Sequence, residues 1–458
     1  MPGVDYDQTF SPTTRLSALC TILVKAAFNG EFIKTIDVSN AYLNGEIESQ
    51  YEIYMRQPEG FQQHGPNGES WVCRLKKGLY GLKQSGRLWN QKLTVELERL
   101  GFAQIKSDPA VYVMEKDGTR IIMPVFVDDI TITSKDRSKI TWVKESLSKV
   151  FKLKDLGPTK FILGIQIDYD QAHRTIAFSQ RQYIVDILHR FKMTDCTPVH
   201  TPMDPGSSSR LRKYTPDPEN PVDMSTIPYM SAVGALMYLA IGTRPDIMFA
   251  VAKLAQYNNN PGPQHWKAVK HVLRYIKGTM DLRLTYRSTG SDTMSSELVK
   301  SYSDADHAGD LDTRRSTSGF LIKMGSGAVS WSAKKQSVVA DSSTEAEYVS
   351  ASSAGREILW MRSLLRELGM KVERPSPLLV DNQSALKVLN NPEHHGRMKH
   401  IDIKWHWIRE VIKRGEIEVH FLPTANMIAD IFTKALPRPA VEQYRLALGL
   451  EFPLEASR

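Results

Sequence analysis

Residues 121–133 constrain this chain more than any other stretch. Ile121, Ile122, Val125, Phe126 and Val127 lead into Asp128-Asp129, and Ile130-Thr131-Ile132-Thr133 leads out, which predicts strand, two-residue turn and strand. A tight hairpin turn favours Asn-Gly or Asp-Gly, because glycine tolerates positive φ. Two adjacent acids repel and shift each other's ionisation, and a divalent cation is the partner that makes the arrangement favourable. For the pair taken alone, an exposed acidic turn is the plainer alternative.

The pair has company. Asp37 follows another short apolar strand, Phe32 to Ile36, so a palm-like sheet would bring a third carboxylate beside it. Hard cations such as Mg²⁺ take carboxylate and phosphate oxygens, and two of them can activate a 3′ hydroxyl and stabilise a leaving pyrophosphate. Between these acids, residues 71–89 (WVCRLKKGLYGLKQSGRLW) interleave glycines, Lys76, Lys77, Lys83 and Arg87 with aromatics. That composition suits a nucleic-acid contact or a basic surface loop.

The last third holds a second acidic set. Asp304 ends a predicted strand, Glu347 lies in a helix predicted from Ser343 to Leu368, Asp381 follows a strand from Leu378 to Val380, and Asp430 lies early in a closing helix from Asn426 to Ala435. On a mixed sheet, acids distributed in this way can converge on two metals and cleave a phosphodiester with an activated water. Singly, Asp381 also reads as a helix cap, and Glu347 and Asp430 as solvated helix faces.

Composition narrows the class. The 458 residues suffice for about three domains, and Lys plus Arg exceed Asp plus Glu by 59 − 51 = 8, a balance that favours polyanionic partners. Cys20, Cys73 and Cys196 are too few and too scattered for a disulfide framework or a cysteine-rich zinc module, so a reducing compartment fits best. Met1 to Phe10 carries Asp5 and Asp7 and does not read as a signal peptide, and the apolar patch from Ala232 to Ile241 is too short to span a membrane. Thr201 to Asp223, rich in Pro, Ser and charge, reads as a linker, and Ser288 to Ser296 as a second seam. Met230 to Tyr257 and His265 to Lys277 have helical spacing.

At these motifs, and over nearly its full length, the chain resembles the Pol polyprotein of copia-type long-terminal-repeat retrotransposons. GVDYDQTFSP looks like the entry into the palm. TIDVSNAYLNGEI, LYGLKQSGRLW and VFVDDITI are similar to polymerase motifs A, B and C. YMSAVGALMYLAIGTRPDI and HVLRYIKGT resemble the connecting region, and SDADHAGD, SSTEAEYVSA, VDNQSAL, KHIDIKWHWIRE and NMIADIFTKAL the ribonuclease H domain. The resemblance implies an α+β protein: a right-hand polymerase palm with truncated fingers at 1–200, a Pro-rich linker at 201–228, a helical connection region at 229–295, a ribonuclease H-like mixed-sheet domain at 296–440 and a tail at 441–458. It implies a reverse transcriptase, a nucleotidyltransferase that copies RNA into DNA, joined to a nuclease that cuts the RNA of RNA–DNA hybrids.

Position by position, the resemblance makes Asp37, Asp128 and Asp129 the polymerase metal-binding acids. It brings the backbone at Asn40 and Ala41 to the triphosphate, makes Tyr42 the gate against a ribose 2′ hydroxyl, and gives Gly81, Lys83 and Gln84 to template and nucleotide. It makes Asp304, Glu347, Asp381 and Asp430 the ribonuclease H acids, with Glu347 preferred over Glu345 because Tyr348-Val349-Ser350-Ala351 matches the apolar helix face that follows the family glutamate. Two Mg²⁺ ions per site, with Mn²⁺ as substitute, are the implied cofactors. The implied partners are an RNA template, a DNA primer, an RNA–DNA hybrid, deoxynucleoside triphosphates and other element proteins such as integrase and capsid, without a membrane. Family habit adds cytoplasmic virus-like particles with later nuclear entry. Phe126 stands where the family has Tyr, Gly86 where it has Pro and His307 where it has Trp. The family's basic fingers segment precedes the GVDY block, and its shortness here leaves a second expectation: a degenerate remnant that binds nucleic acid with ribonuclease H activity alone or none.

Overall fold

The computed structural model describes residues 8–207, 210–217, 219, 222–288, 299–390 and 403–453, with side chains from 407 onward in the last stretch. Beyond Ser288, the seam expected to end at Ser296 lies outside the described residues. The chain forms two compact units, Met1–Ala26 with Glu31–Thr159, and Ala27–Gly30 with Lys160–Arg458.

In the first unit α1 (Leu16–Phe28) leads to β1 (Phe32–Val38), the small hairpin β2 (Tyr54–Arg56) and β3 (Val72–Arg74), and α2 (Ser85–Arg99). Then come β4 (Ala103–Gln104), β5 (Val111–Lys116), β6 (Thr119–Phe126), β7 (Asp129–Ser134), α3 (Arg137–Ser148) and β8 (Leu153–Pro158). Six strands form one antiparallel sheet in the order β4-β5-β6-β7-β1-β8. On α2, Leu88, Trp89, Leu93 and Leu97 fall on one buried stripe, and the last three pack with Ile121, Met123, Ile130 and Ile132 of the central strands. Helix α3 buries Ile140, Val143 and Leu147 and starts at Asp136, whose carboxylate accepts from the Ser138 N–H at 2.8 Å.

Two sequence expectations shift here. β1 continues to Val38 because it is paired on both sides, by β7 and β8, so Asp37 sits inside the strand rather than after it. The hairpin turn falls on Val127-Asp128, and Asp129 is the first residue of β7, opposite Phe126. Val127 has φ +57°, a region in which a β-branched side chain is strained. The surroundings impose it: the Trp89 indole donates to the Val127 carbonyl at 2.8 Å, and the Val38 N–H donates to the Asp128 carbonyl at 3.0 Å.

The second unit runs β9 (Phe161–Ile162), β10 (Ile165–Asp170), β11 (Thr175–Ser179), α4 (Arg181–Arg190), α5 (Tyr229–Gly242), α6 (Met248–Ala255), α7 (Pro263–Gly278) and β12 (Arg283–Arg287). It continues through β13 (Val299–Ala305), β14 (Thr317–Met324), β15 (Gly327–Lys335), α8 (Ser343–Glu367), β16 (Ser376–Val380), α9 (Gln383–Asn390), α10 (Ile403–Lys413), β17 (Ile417–Phe421), α11 (Arg438–Ala447) and β18 (Leu450–Glu451). One sheet has the order β18-β12-β11-β10-β9, and a mixed sheet has the order β15-β14-β13-β16-β17, with β13, β16 and β17 parallel. A continuous core joins the helices to the mixed sheet, with Leu239 and Ile276 in the same cluster as Leu321 and Phe432. The Trp331 indole of β15 donates to the Ala240 carbonyl of α5 at 3.0 Å.

The compact units divide between Thr159 and Lys160, since β10 and β11 pair onward to β12 and β18. Residues 441–451 are built into the fold for the same reason: Val441, Tyr444 and Leu448, at helical spacing, enter the core, and Leu450 pairs with Leu284. The segment expected as a closing helix forms two 3-10 turns, Thr424–Asn426 and Ile428–Phe432. It lies flat against β14, where a Cβ on Gly319 would come within 2.8 Å of the Phe432 Cβ. No described helix is long and apolar enough to cross a membrane.

The helix expected from Met230 to Tyr257 breaks at Thr243-Arg244-Pro245, where proline removes an N–H and a buried network takes over. Arg244, 1% exposed, forks onto Asp246 at 2.9 and 2.7 Å and donates to the Thr279 carbonyl at 2.9 Å. The Tyr275 hydroxyl donates at 2.7 Å to Asp246 Oδ2, the oxygen that also accepts from Arg244 Nη2. Removing one partner of such a pair strands a buried charge. Arg244→Ala is therefore expected to cost about 3–5 kcal/mol, seen as faster amide exchange through α5 and α7. A cost below about 1 kcal/mol, the range of an exposed pair, would show that this network does not hold the helices.

Candidate metal centres

In the first unit the antiparallel register of β1 and β7 sets Asp37 directly opposite Asp129, and Asp128 caps the hairpin beside them. Burial, then the charges of Asp128 and Asp37, push the Asp129 carboxyl above the usual aspartate range. Asn40 adopts the left-handed conformation (φ 53°, ψ 49°) and starts the 3-10 turn Ala41–Asn44. Ala41 is fully buried. The Tyr42 ring lies 4.7 Å from the Tyr80 ring, tilted by 49°. Partial burial, then Asp128, Tyr42 and Asp37, raise the Tyr80 hydroxyl, which ties that residue to the same acids.

Close backbone packing fixes this arrangement. The Gly78 N–H donates to the Gly45 carbonyl at 2.9 Å, and a Cβ on Gly78 would meet the Tyr42 carbonyl at 2.8 Å. Gly81 (φ +98°) and Lys83 are exposed, and no ion pair links Lys83 to the acids among the described residues. Gln84 is buried at the start of α2, beside the Arg87–Glu48 ion pair of 2.9 Å. The structure thus gathers Asp37, Asp128, Asp129 and Tyr42, and keeps Gln84 in the protein interior. Tyr80, which the sequence reading did not single out, was signalled by its place in the glycine-flanked aromatic block.

In the second unit, parallel pairing brings the C-terminal ends of β13 and β16 side by side, with Asp304 in one and Asp381 just after the other. The 3-10 turn Ile428–Phe432 supplies Asp430. Carboxylate oxygens of Asp304, Asp381 and Asp430 all lie within 4.8 Å of one another. Glu347, in the second turn of α8, accepts the Ala305 N–H through Oε1 at 3.1 Å. Glu345 instead serves the helix start: its N–H donates to the Ser342 hydroxyl at 3.3 Å, and its carboxylate accepts the Asp341 N–H at 2.9 Å.

Two residues missed in the sequence complete this centre. The Thr433 hydroxyl donates to Asp304 Oδ2. Lys434, one helical turn's spacing beyond Asp430, places its ammonium 2.8 Å from Asp430 and 3.4 Å from Asp304. They stand three and four residues after Asp430 in the block ADIFTKAL, a spacing that could have found them. Burial, then Asp304 and Asp381, push Glu347 up to about 9, and burial, then Asp304, push Asp430 up to about 7. Burial alone would lower the Lys434 ammonium, but Asp304 and Asp430 outweigh it and raise it.

This donor set fits a divalent cation. Glu347 Oε2 is buried without a hydrogen-bond partner, and carboxylate oxygens are the ligands hard cations take. Without a cation, the folded chain holds protons that the unfolded chain releases between the ordinary glutamate value of 4.5 and about 9. Stability must then fall as pH rises through that window. The second unit is expected to melt lower at pH 9 than at pH 6, with Mg²⁺ restoring it and Glu347→Gln flattening the slope. A cation-free melt that rises over the window would contradict the arrangement.

Residues 1–205 match the family model for reverse transcriptase (RNA-dependent DNA polymerase). Over 450 residues the chain is 40% identical to the retrovirus-related Pol polyprotein from transposon TNT 1-94 of Nicotiana tabacum, covering 98% of this chain and 33% of that protein. A transposon Ty5-1 protein of Saccharomyces cerevisiae is 32% identical over 333 residues, 70% of this chain and 100% of its own length. The chain spans about a third of the length of the plant Pol polyproteins it matches. Among solved structures, the N-terminal ribonuclease H domain of a Mycobacterium tuberculosis protein, fused to maltose binding protein, covers 32% of this chain and 96% of its own. It matches at a TM-score of 0.21 and 15% identity.

Proposed function

This chain belongs to the retrovirus-related Pol polyprotein family of copia-type transposons, and from that premise we propose that its first unit is a polymerase palm and its second a nuclease. The first unit extends a DNA primer on an RNA template, and the second cuts the RNA of the resulting RNA–DNA hybrid. The observation that carries the reading is the convergence of Asp304, Asp381 and Asp430, with the buried Glu347, at the ends of parallel strands. The opposed pair Asp37 and Asp129 supports the polymerase half.

Mg²⁺, two ions per centre, would be held by Asp37, Asp128 and Asp129 in one unit and by Asp304, Glu347, Asp381 and Asp430 in the other. When bound, it lowers the pKa of the attacking hydroxyl or water and neutralises charge on the phosphate oxygens. The chain's own residues do the remainder. Tyr42, braced by Tyr80, forms a wall against a ribose 2′ hydroxyl. The backbone at the left-handed Asn40 and at Ala41, where the 3-10 turn begins, would approach a triphosphate. In the nuclease unit Thr433 orients Asp304, and Lys434 holds part of the negative charge in check.

The test places the purified chain on an RNA template annealed to a DNA primer with Mg²⁺ and deoxynucleotides, resolving both strands. Asp304→Asn is expected to lower RNA cleavage at least about 100-fold and spare primer extension, and Asp128→Asn to do the reverse. EDTA should stop both. Hybrid binding that survives EDTA and both substitutions, without turnover in the unsubstituted chain, would replace this reading with nucleic-acid binding alone.

A further inference from the structure

The acidic centre of the second unit contains a cation of its own. Lys434 Nζ lies 2.8 Å from Asp430 Oδ1 and 3.4 Å from Asp304 Oδ1. The ammonium thus stands against two of the three acids whose oxygens gather within 4.8 Å of one another. The Thr433 hydroxyl donates to the other oxygen of Asp304, so Oδ1 is the one left to a positive charge. Any metal ion that takes Asp304 and Asp430 together meets Lys434 on the same oxygens.

Two observations set this contact apart from a fixed ion pair. The Lys434 side chain is 37% exposed while those of Asp304 and Asp430 are 1% and 10% exposed, so the lysine stem enters from the solvent side and can withdraw the same way. Arg244 and Asp246, at 1% and 0%, have no such route. Nor does one ammonium satisfy the centre: Glu347 Oε2 is buried there without a partner. A divalent cation carries twice the charge and takes several carboxylate oxygens at once, whereas Lys434 brings a single charge on a flexible stem. Two positive charges a few ångströms apart also repel strongly, so both do not settle on the same carboxylates.

We infer that Lys434 is a displaceable internal cation, which neutralises Asp304 and Asp430 in the metal-free chain and is driven toward solvent when a divalent cation binds. The choice of Mg²⁺ as that cation rests on the nuclease reading. The inference has a signature that a merely structural lysine lacks. Removing the ammonium must loosen the metal-free fold and at the same time tighten the hold on metal, whereas loss of a structural contact would weaken both.

The test titrates the full chain with Mg²⁺, without nucleic acid, and reads two signals. One is labelling of Lys434 by an amine-reactive acylating reagent. The other is amide exchange in β13 and α8, which belong to the second unit and do not report the acids of the first. Labelling is expected to rise with Mg²⁺ along the same curve as protection of β13 and α8. Lys434→Met is expected to speed exchange in EDTA and to lower the Mg²⁺ midpoint at least about tenfold. Lys434→Arg, whose fork grips carboxylates more firmly, should raise the midpoint. Should Lys434→Met fail to fold, the labelling curve and Lys434→Arg decide. Labelling that stays level or falls with Mg²⁺, a midpoint in Lys434→Met that is unchanged or higher, one in Lys434→Arg that is lower, or no response of either signal to Mg²⁺ would overturn the inference. Hybrid cleavage, run alongside, separates the two readings. Cleavage in Mg²⁺ with Lys434 labelling unmoved sinks the inference alone, and release of Lys434 by Mg²⁺ without cleavage sinks the nuclease alone.

Discussion

Like charges brought together in partly dry surroundings are the constraint on which both units turn. Asp37 faces Asp129 across two strands, and Asp304, Asp381 and Asp430 meet at the ends of others, with Glu347 buried behind them. Such groups repel, and burial removes the water that would screen them. The fold must therefore hold the backbone rigidly under each acid. In the first unit, strand pairing on both sides of β1 and two hydrogen bonds onto the Val127-Asp128 turn do so. In the second, Thr433, Lys434 and the Ala305 amide each take up part of the charge.

A different kind of charge organises the helical part of the second unit. The Arg244–Asp246 pair is sealed from solvent and satisfied on nearly every side by Thr279 and Tyr275. Opposite charges with full hydrogen bonding can be buried where like charges need an external cation. The block GTRPDI thus owes its form to packing, whereas the acids at the strand ends owe theirs to chemistry.

Much of this was legible in the sequence, and particular residues show why. The apolar runs around Asp128-Asp129 and the spacing of Leu88, Leu93 and Leu97 announce their strand and helix, because burial imposes a period on side chains. The turn position did not follow from that pattern. Preference favours Asp128-Asp129, but the Trp89 indole and the Val38 amide, both distant in sequence, pull the turn onto a strained valine. The closing segment likewise has helical composition but is flattened by its contact with Gly319. Gln84 matches a family contact by position but is buried in the structure.

The sequence by itself determined which residues could carry chemistry: acids following apolar runs, glycines beside aromatics, a basic balance, and motif blocks in family order. Those are local properties, set by side-chain type and short-range period. Only the tertiary structure decided which acids meet, that β13 and β16 run parallel, that Lys434 and Thr433 serve Asp304, and that Glu347 keeps an unanswered carboxylate oxygen. Each of these depends on groups far apart in the chain and close in space. No periodicity records such contacts, because the free energy that selects them belongs to the packed whole.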